Sequence, residues 1–99
     1  MSHSLEQRGG SQVILSGTVT YATAMHVRAE GLRILAKQGE IQLIIQNDIV
    51  FDSALVAVLL CWQRWCTRHN RVFMLMVQSR SVRLLLQAYQ VTDLFTYFD

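Results

Sequence analysis

The chain has 99 residues, 52% of them hydrophobic and 16% charged, with a net charge of +2. That length suits one domain with a single core and leaves little room for a deep enzyme cleft. The charge is too small to imply a polyanionic partner, and the charged fraction lies below the usual value of about 25%. A small, poorly charged protein turns some apolar residues outward, which points to a partner or an oligomer.

Met1 to Gly10 is polar, lacks an apolar signal-peptide core and reads as a flexible lead-in or the edge of a first strand. Gln12 to Ser16 reads as a strand. Gly17 follows as a turn or bulge, and Thr18 to Thr20 continue or re-pair the strand. From Tyr21 the period changes. Met25, Ala29, Leu32 and Ala36, with Leu35 alongside, predict a helix capped by Thr20 or Thr23 and stopped by Gly39 at C′. Gly31 inside it predicts a close packing contact, because glycine costs about 1 kcal/mol in a helix. Ile41 to Gln46 reads as a central strand and Asn47-Asp48 as a turn.

Asp52 or Ser53 opens a second helix that runs to about His69, with Asn70 as a left-handed stop. The oxygens of either side chain suit the free N–H groups of a helix start. Val72 to Val77 is wholly apolar and predicts a central strand. Ser79 or Ser81 caps a third helix with Val82, Leu85, Leu86 and Tyr89 on one face, and Leu94, Phe95 and Phe98 close the core. The expected architecture is α/β: one domain with a mixed sheet of four to five strands and helices mainly on one face.

On a helical wheel with Ala54 at 0°, Ala54, Leu55, Val58, Leu59, Trp62, Trp65 and Cys66 share an arc of roughly 140°. The opposite side is polar late in the helix (Gln63, Arg64, Thr67, Arg68) but apolar early (Val56, Ala57, Leu60), with Ser53 above it. Two readings follow. Either Val56, Ala57 and Leu60 pack on a neighbouring helix and Ser53 is an N-cap, or these residues form an interface for another protein.

Catalytic chemistry has no visible support. His3, His26 and His69 sit in no motif, and Ser53 lacks the G-x-S-x-G elbow. No nucleotide loop is present. Asp48 and Asp52 make a poor acid/base pair, since capping accounts for Asp52. Cys61 and Cys66, five apart, share neither a metal nor a redox motif and read as free thiols in a reducing cytosol. Arg64, Arg68 and Arg71 read as cations near a helix C-terminus, with no aromatic interleaving of a nucleic-acid platform. The expectation is a cytoplasmic chain without cofactor, metal, nucleic acid or membrane insertion, the longest apolar run, Ala54 to Trp62, being far short of the ~20 residues of a span.

From Gln12 to Phe98 the chain resembles the STAS family of sulfate-transporter and anti-sigma-factor-antagonist domains. Val13-Ile14-Leu15-Ser16-Gly17 resembles its first strand, Phe51-Asp52-Ser53 its Asp-Ser/Thr motif, and Leu84 to Leu94 its third helix and following turn. The resemblance places Ser53 at the phosphoacceptor or partner-contacting position. Within the family the likeness is greatest to the stand-alone STAS subunit of the Gram-negative Mla transporter, an ABC system that maintains outer-membrane lipid asymmetry. That likeness implies a non-enzymatic subunit bound to the transporter ATPase on the cytoplasmic side of the inner membrane, in a complex with permease and substrate-binding subunits. Together with the wheel reading it gives Asp52, Ser53, Ala54, Val56, Ala57 and Leu60 as the expected partner-binding set. The alternative it implies is an anti-sigma-factor antagonist regulated by phosphorylation of Ser53. Ala54-Leu55 stand where the family often has Ser/Gly-Gly, and Ile45-Gln46-Asn47 replace Asp-Leu-Ser. Both departures favour constitutive docking over a phospho-switch.

Overall fold

The computed structural model describes residues 2–98; Met1, at the head of the polar lead, and Asp99, the last carboxylate, lie outside them. Alternation of strand and helix periods builds β1 (His3–Arg8), β2 (Gln12–Val19), α1 (Ala24–Leu35), β3 (Glu40–Ile45), β4 (Val50–Phe51), α2 (Ala54–Arg68), β5 (Val72–Val77), α3 (Arg80–Ala88), a 3-10 turn (Thr92–Leu94) and β6 (Thr96–Tyr97). The mixed sheet runs β1-β2-β3-β5-β6, with β4 beside the end of β2. Its β1–β2 pairing is antiparallel and the remaining pairings are parallel. Six strands replace the expected four to five, because the two-residue β4 and β6 are too short to leave a period in the sequence.

Of the two expectations for the first ten residues, the structure has the edge strand rather than the flexible lead-in. Six register pairs hold β1 to β2, from His3 opposite Gly17 to Arg8 opposite Gln12. Gly17 is no turn but a position within β2 at φ 82°, where a Cβ would overlap the Ser2 carbonyl oxygen. Its freedom lets β2 pass from β3 to β4 as parallel partner.

Burial alternates along β3 and β5. Val13, Leu15, Leu43, Ile45, Leu75 and Val77 face the helices and join the core of α1, α2 and α3. Gln42, Ile44, Met74 and Met76 lie on the other face, half-buried.

Helix α1 buries Val27, Gly31 and Leu35; of the expected stripe Leu35 is buried and Leu32 packs half-buried on the core, whereas Met25, Ala29 and Ala36 are exposed. The cause is Trp62 of α2. Its indole lies against Gly31, where a Cβ would overlap the ring, and its Nε1 donates to the Arg28 carbonyl at 3.1 Å. The helix ends at Leu35, short of Gly39, whose carbonyl instead accepts from Val72 N. Neither threonine caps α1 with its side chain; Thr23 Oγ1 accepts from Thr20 N and donates to the Thr18 carbonyl.

The other ends follow the sequence more closely. Asn70 takes φ 55° after α2, and Ser79 Oγ accepts from Val82 N at the start of α3. Phe95 is buried as expected, whereas Tyr89 and Leu94 are exposed and Phe98 is half-buried.

Two outcomes test this packing. Gly31→Val drives two methyls into the Trp62 ring and is expected to cost roughly 2–3 kcal/mol, lowering Tm by about 8 °C or more; an unchanged melt would show that Trp62 does not depend on the glycine. Burial pushes the Cys66 thiol from 9.0 up to about 11, against a smaller lowering by the Arg71 guanidinium. Below pH 9 the thiol keeps its proton in both states. Between pH 9 and about 11 the unfolded chain ionises it and the native chain does not, so rising pH erodes stability. The melting temperature should fall across that window, and fall less in Cys66→Ala.

Candidate functional site

Helix α2 presents the site. Its buried residues are Leu55, Val56, Val58, Leu59, Trp62 and Cys66. On the wheel these run from about 40° at Val58 to about 200° at Val56, so the core arc is rotated about 50° from the expected one. Two neighbours cause the rotation. On one side, α1 takes the Trp62 indole. On the other, Gln63 Nε2 donates to the Leu94 carbonyl at 3.0 Å, drawing the 3-10 turn over that flank.

This corrects one member of the expected interface. Val56 is 4% exposed and belongs to the core, not to a docking face. Ala54 and Leu60 are half-buried, and Asp52, Ser53 and Ala57 are exposed. The outward side of α2 is therefore a stripe of Ser53, Ala57, Leu60, Arg64 and Arg68, apolar near its start and cationic near its end. Trp65, expected in the core, sits at its edge, stacked on His69 with ring centroids 4.0 Å apart.

The Asp-Ser pair divides its labour. Ser53 occupies the N-cap position but makes no capping hydrogen bond. Asp52 does that work: Oδ1 accepts from Ala54 N at 2.8 Å and Oδ2 from Tyr21 N at 3.0 Å. One carboxylate thus starts α2 and ties it to the β2–α1 connection. The Ser53 hydroxyl is left at an exposed helix N-terminus, where the macrodipole favours negative charge.

The same tie fixes residues that the sequence reading missed. Tyr21 is 88% exposed beside the α2 start, and Met25, in the first turn of α1, is 76% exposed. Met25 was hidden because it falls on the apparent stripe of α1; the signal that reassigns it is Gly31, which marks the true contact face.

No grouping of three or more histidine, cysteine or acidic side chains that could hold a metal occurs among the described residues. Among them, too, no helix is long and apolar enough to cross a membrane.

Known structures share this architecture. The chain is similar to the anti-sigma factor antagonist SpoIIAA in its unphosphorylated form, with a TM-score of 0.72, 16% identity, and 99% of this chain and 89% of that one covered. It is likewise similar to the Bacillus cell fate determinant SpoIIAA in the phosphorylated form, with a TM-score of 0.68, 16% identity, and 99% and 92% coverage. No family model and no curated protein matches the sequence. The fold is the STAS fold, a single α/β domain with three helices against a mixed sheet.

The divided roles of the Asp-Ser pair give a direct test. Asp52→Ala removes two accepted hydrogen bonds and should cost about 1–2 kcal/mol in a thermal melt. Ser53→Ala should leave Tm within about 2 °C of wild type, since no cap is lost. Equal destabilisation by the two would refute this assignment.

Proposed function

We propose that the chain is a non-catalytic docking subunit that binds the ATPase of an ABC transporter through the start of α2. The observation that carries this reading is the stripe of exposed Ser53 and Ala57 and half-buried Leu60, with exposed Tyr21 tied to the helix start through Asp52. Apolar side chains held on a rigid helix end, with an aromatic nearby, have the make-up of an interface core. The finer assignment rests on the sequence resemblance. It makes the transporter the Mla phospholipid system of a Gram-negative bacterium, with the chain on the cytoplasmic side of the inner membrane in a complex with permease and substrate-binding subunits. No cofactor, nucleic acid or membrane insertion enters the proposal. Asp52 contributes by positioning, Ala54 and Val56 from beneath the contact surface.

A second reading is an anti-sigma-factor antagonist with Ser53 as phosphoacceptor. It is favoured by the uncommitted Ser53 hydroxyl and by the likeness to SpoIIAA, a protein known in a phosphorylated form. A phosphate there would add about −2 charge. The helix start would favour it, while the apolar side chains of Ala57 and Leu60 would meet a desolvated charge in any interface they formed.

Co-expression with the ATPase of an Mla-type ABC transporter separates the two. The docking reading expects a stable complex without phosphorylation, and Ala57→Arg should weaken it at least about 30-fold by placing a cation in an apolar contact while leaving Tm unchanged. Failure of the ATPase to co-purify, with labelling of Ser53 by a serine kinase of the anti-sigma type, would replace the first reading by the second.

A further inference from the structure

Below the apolar start of the α2 stripe lies a groove of about 470 Å³ between α2 and the 3-10 turn, lined by Leu60, Gln63, Arg64, Thr67, Arg68 and Leu94. Three of its features point to one kind of occupant. Its apolar walls are Leu60 and Leu94, the latter 55% exposed. Its cations, Arg64 and Arg68, are exposed and one helical turn apart, and the ion pairs among the described residues, His3–Glu30 and Arg8–Glu6, involve neither. Its polar wall is held in place, Gln63 donating its amide N–H to the Leu94 carbonyl.

We infer that this groove binds an acidic peptide segment of a partner protein, with an apolar side chain between Leu60 and Leu94 and carboxylates on Arg64 and Arg68. The charges set the spacing. Four residues of helix separate the two arginines by about 6 Å along the axis. Alternate residues of an extended strand lie about 6.6 Å apart, so an extended segment with carboxylates at i and i+2 meets both guanidiniums. Guanidinium takes carboxylate in a bidentate fork, which fixes direction as well as charge. The apolar walls argue for a peptide over a bare anion, because an anion has nothing to place between Leu60 and Leu94.

The groove shares Leu60 with the docking face, so the inference rests on the proposed docking role and extends it from an apolar contact to a sequence-selective one. The test uses the full chain carrying a photo-crosslinking benzoyl-phenylalanine at exposed Thr67 or, separately, at Ala57, irradiated in cells. The expected result is a Thr67 crosslink to a partner segment with an apolar residue and two carboxylates spaced i, i+2. Arg64→Glu with Arg68→Glu should then weaken that complex roughly tenfold, and Lys at the two crosslinked carboxylates should restore it. Should the double variant not fold, Arg68→Glu alone with one carboxylate reversed serves the same cycle. Crosslinks from Ala57 without any from Thr67 overturn the groove and leave the docking face standing. Silence at both positions removes both. A Thr67 crosslink to a lipid, to a nucleic acid or to a segment without carboxylates also overturns the inference, as does a charge reversal that leaves affinity unchanged.

Discussion

The helix layer depends on the contact of the Trp62 indole with Gly31. A tryptophan buried to 1% brings the largest apolar side chain of the chain into the core, but its N–H needs a partner there. The Arg28 carbonyl supplies one only because α1 comes close, and α1 comes close only because residue 31 lacks a Cβ. The glycine costs about 1 kcal/mol in helix propensity. Full burial of the ring more than offsets it, at roughly 25 cal/mol per Å². This contact also sets the rotation of both helices. It turns Met25 outward on α1 and Val56 inward on α2, so the composition of the exposed surface near Ser53 follows from a packing event two turns away.

Asp52 is the second constraint. A carboxylate shared between Ala54 N and Tyr21 N joins the start of α2 to the connection that follows β2. Capping by Asp52 instead of Ser53 has a functional consequence. A hydroxyl engaged as an N-cap would have to break a hydrogen bond to meet a partner or accept a group; the Ser53 hydroxyl has no such bond to lose. Rigid backbone and an uncommitted side chain at one position suit recognition, because little conformational entropy remains to be lost on binding.

Much of the fold was legible in the sequence. The central strands at Ile41 to Ile45 and Val72 to Val77, the three helices and the caps at Asn70 and Ser79 carry strong local signals: continuous apolar runs, a change of period, a residue suited to positive φ or to an N-cap. What was not legible is rotation. On α2, Val56 and Ala57 are neighbours of similar character, and the wheel alone put both outside. The packing of Trp62 on Gly31 sets the rotation that puts Val56 in the core, and that contact joins two helices far apart in the sequence. The β1 edge strand was ambiguous for a different reason. Its alternation of half-buried His3 and Leu5 with exposed neighbours is weak, and its order comes from pairing with β2 and from the His3–Glu30 bridge of 2.6 Å to α1. Within the candidate site, Asp52 and Ser53 were visible from the motif and Ala57 from the wheel, while Met25 was concealed by a false stripe.

The surplus of apolar residues noted at the outset is divided by the fold into two kinds of surface. Ile44, Met74 and Met76 lie half-buried on the sheet face away from the helices, interleaved with Gln12 and Gln42, whose side chains hydrogen-bond to each other across β2 and β3. That glutamine pair breaks the apolar area, as polar interruptions do on faces that meet water. On the helix side the pattern is graded instead: exposed Tyr21 and Met25, then Ala57 and Leu60, then Arg64 and Arg68 one turn further along α2. A purely apolar stripe of that length would bind greasy surfaces without discrimination. In the proposed docking role, ending it in two exposed guanidiniums adds a charge requirement, and specificity would come from the penalty that a partner without carboxylates meets when it covers those cations. The sequence therefore places its stickiest and its most selective elements on one helix, held in a single orientation by Trp62 and Asp52.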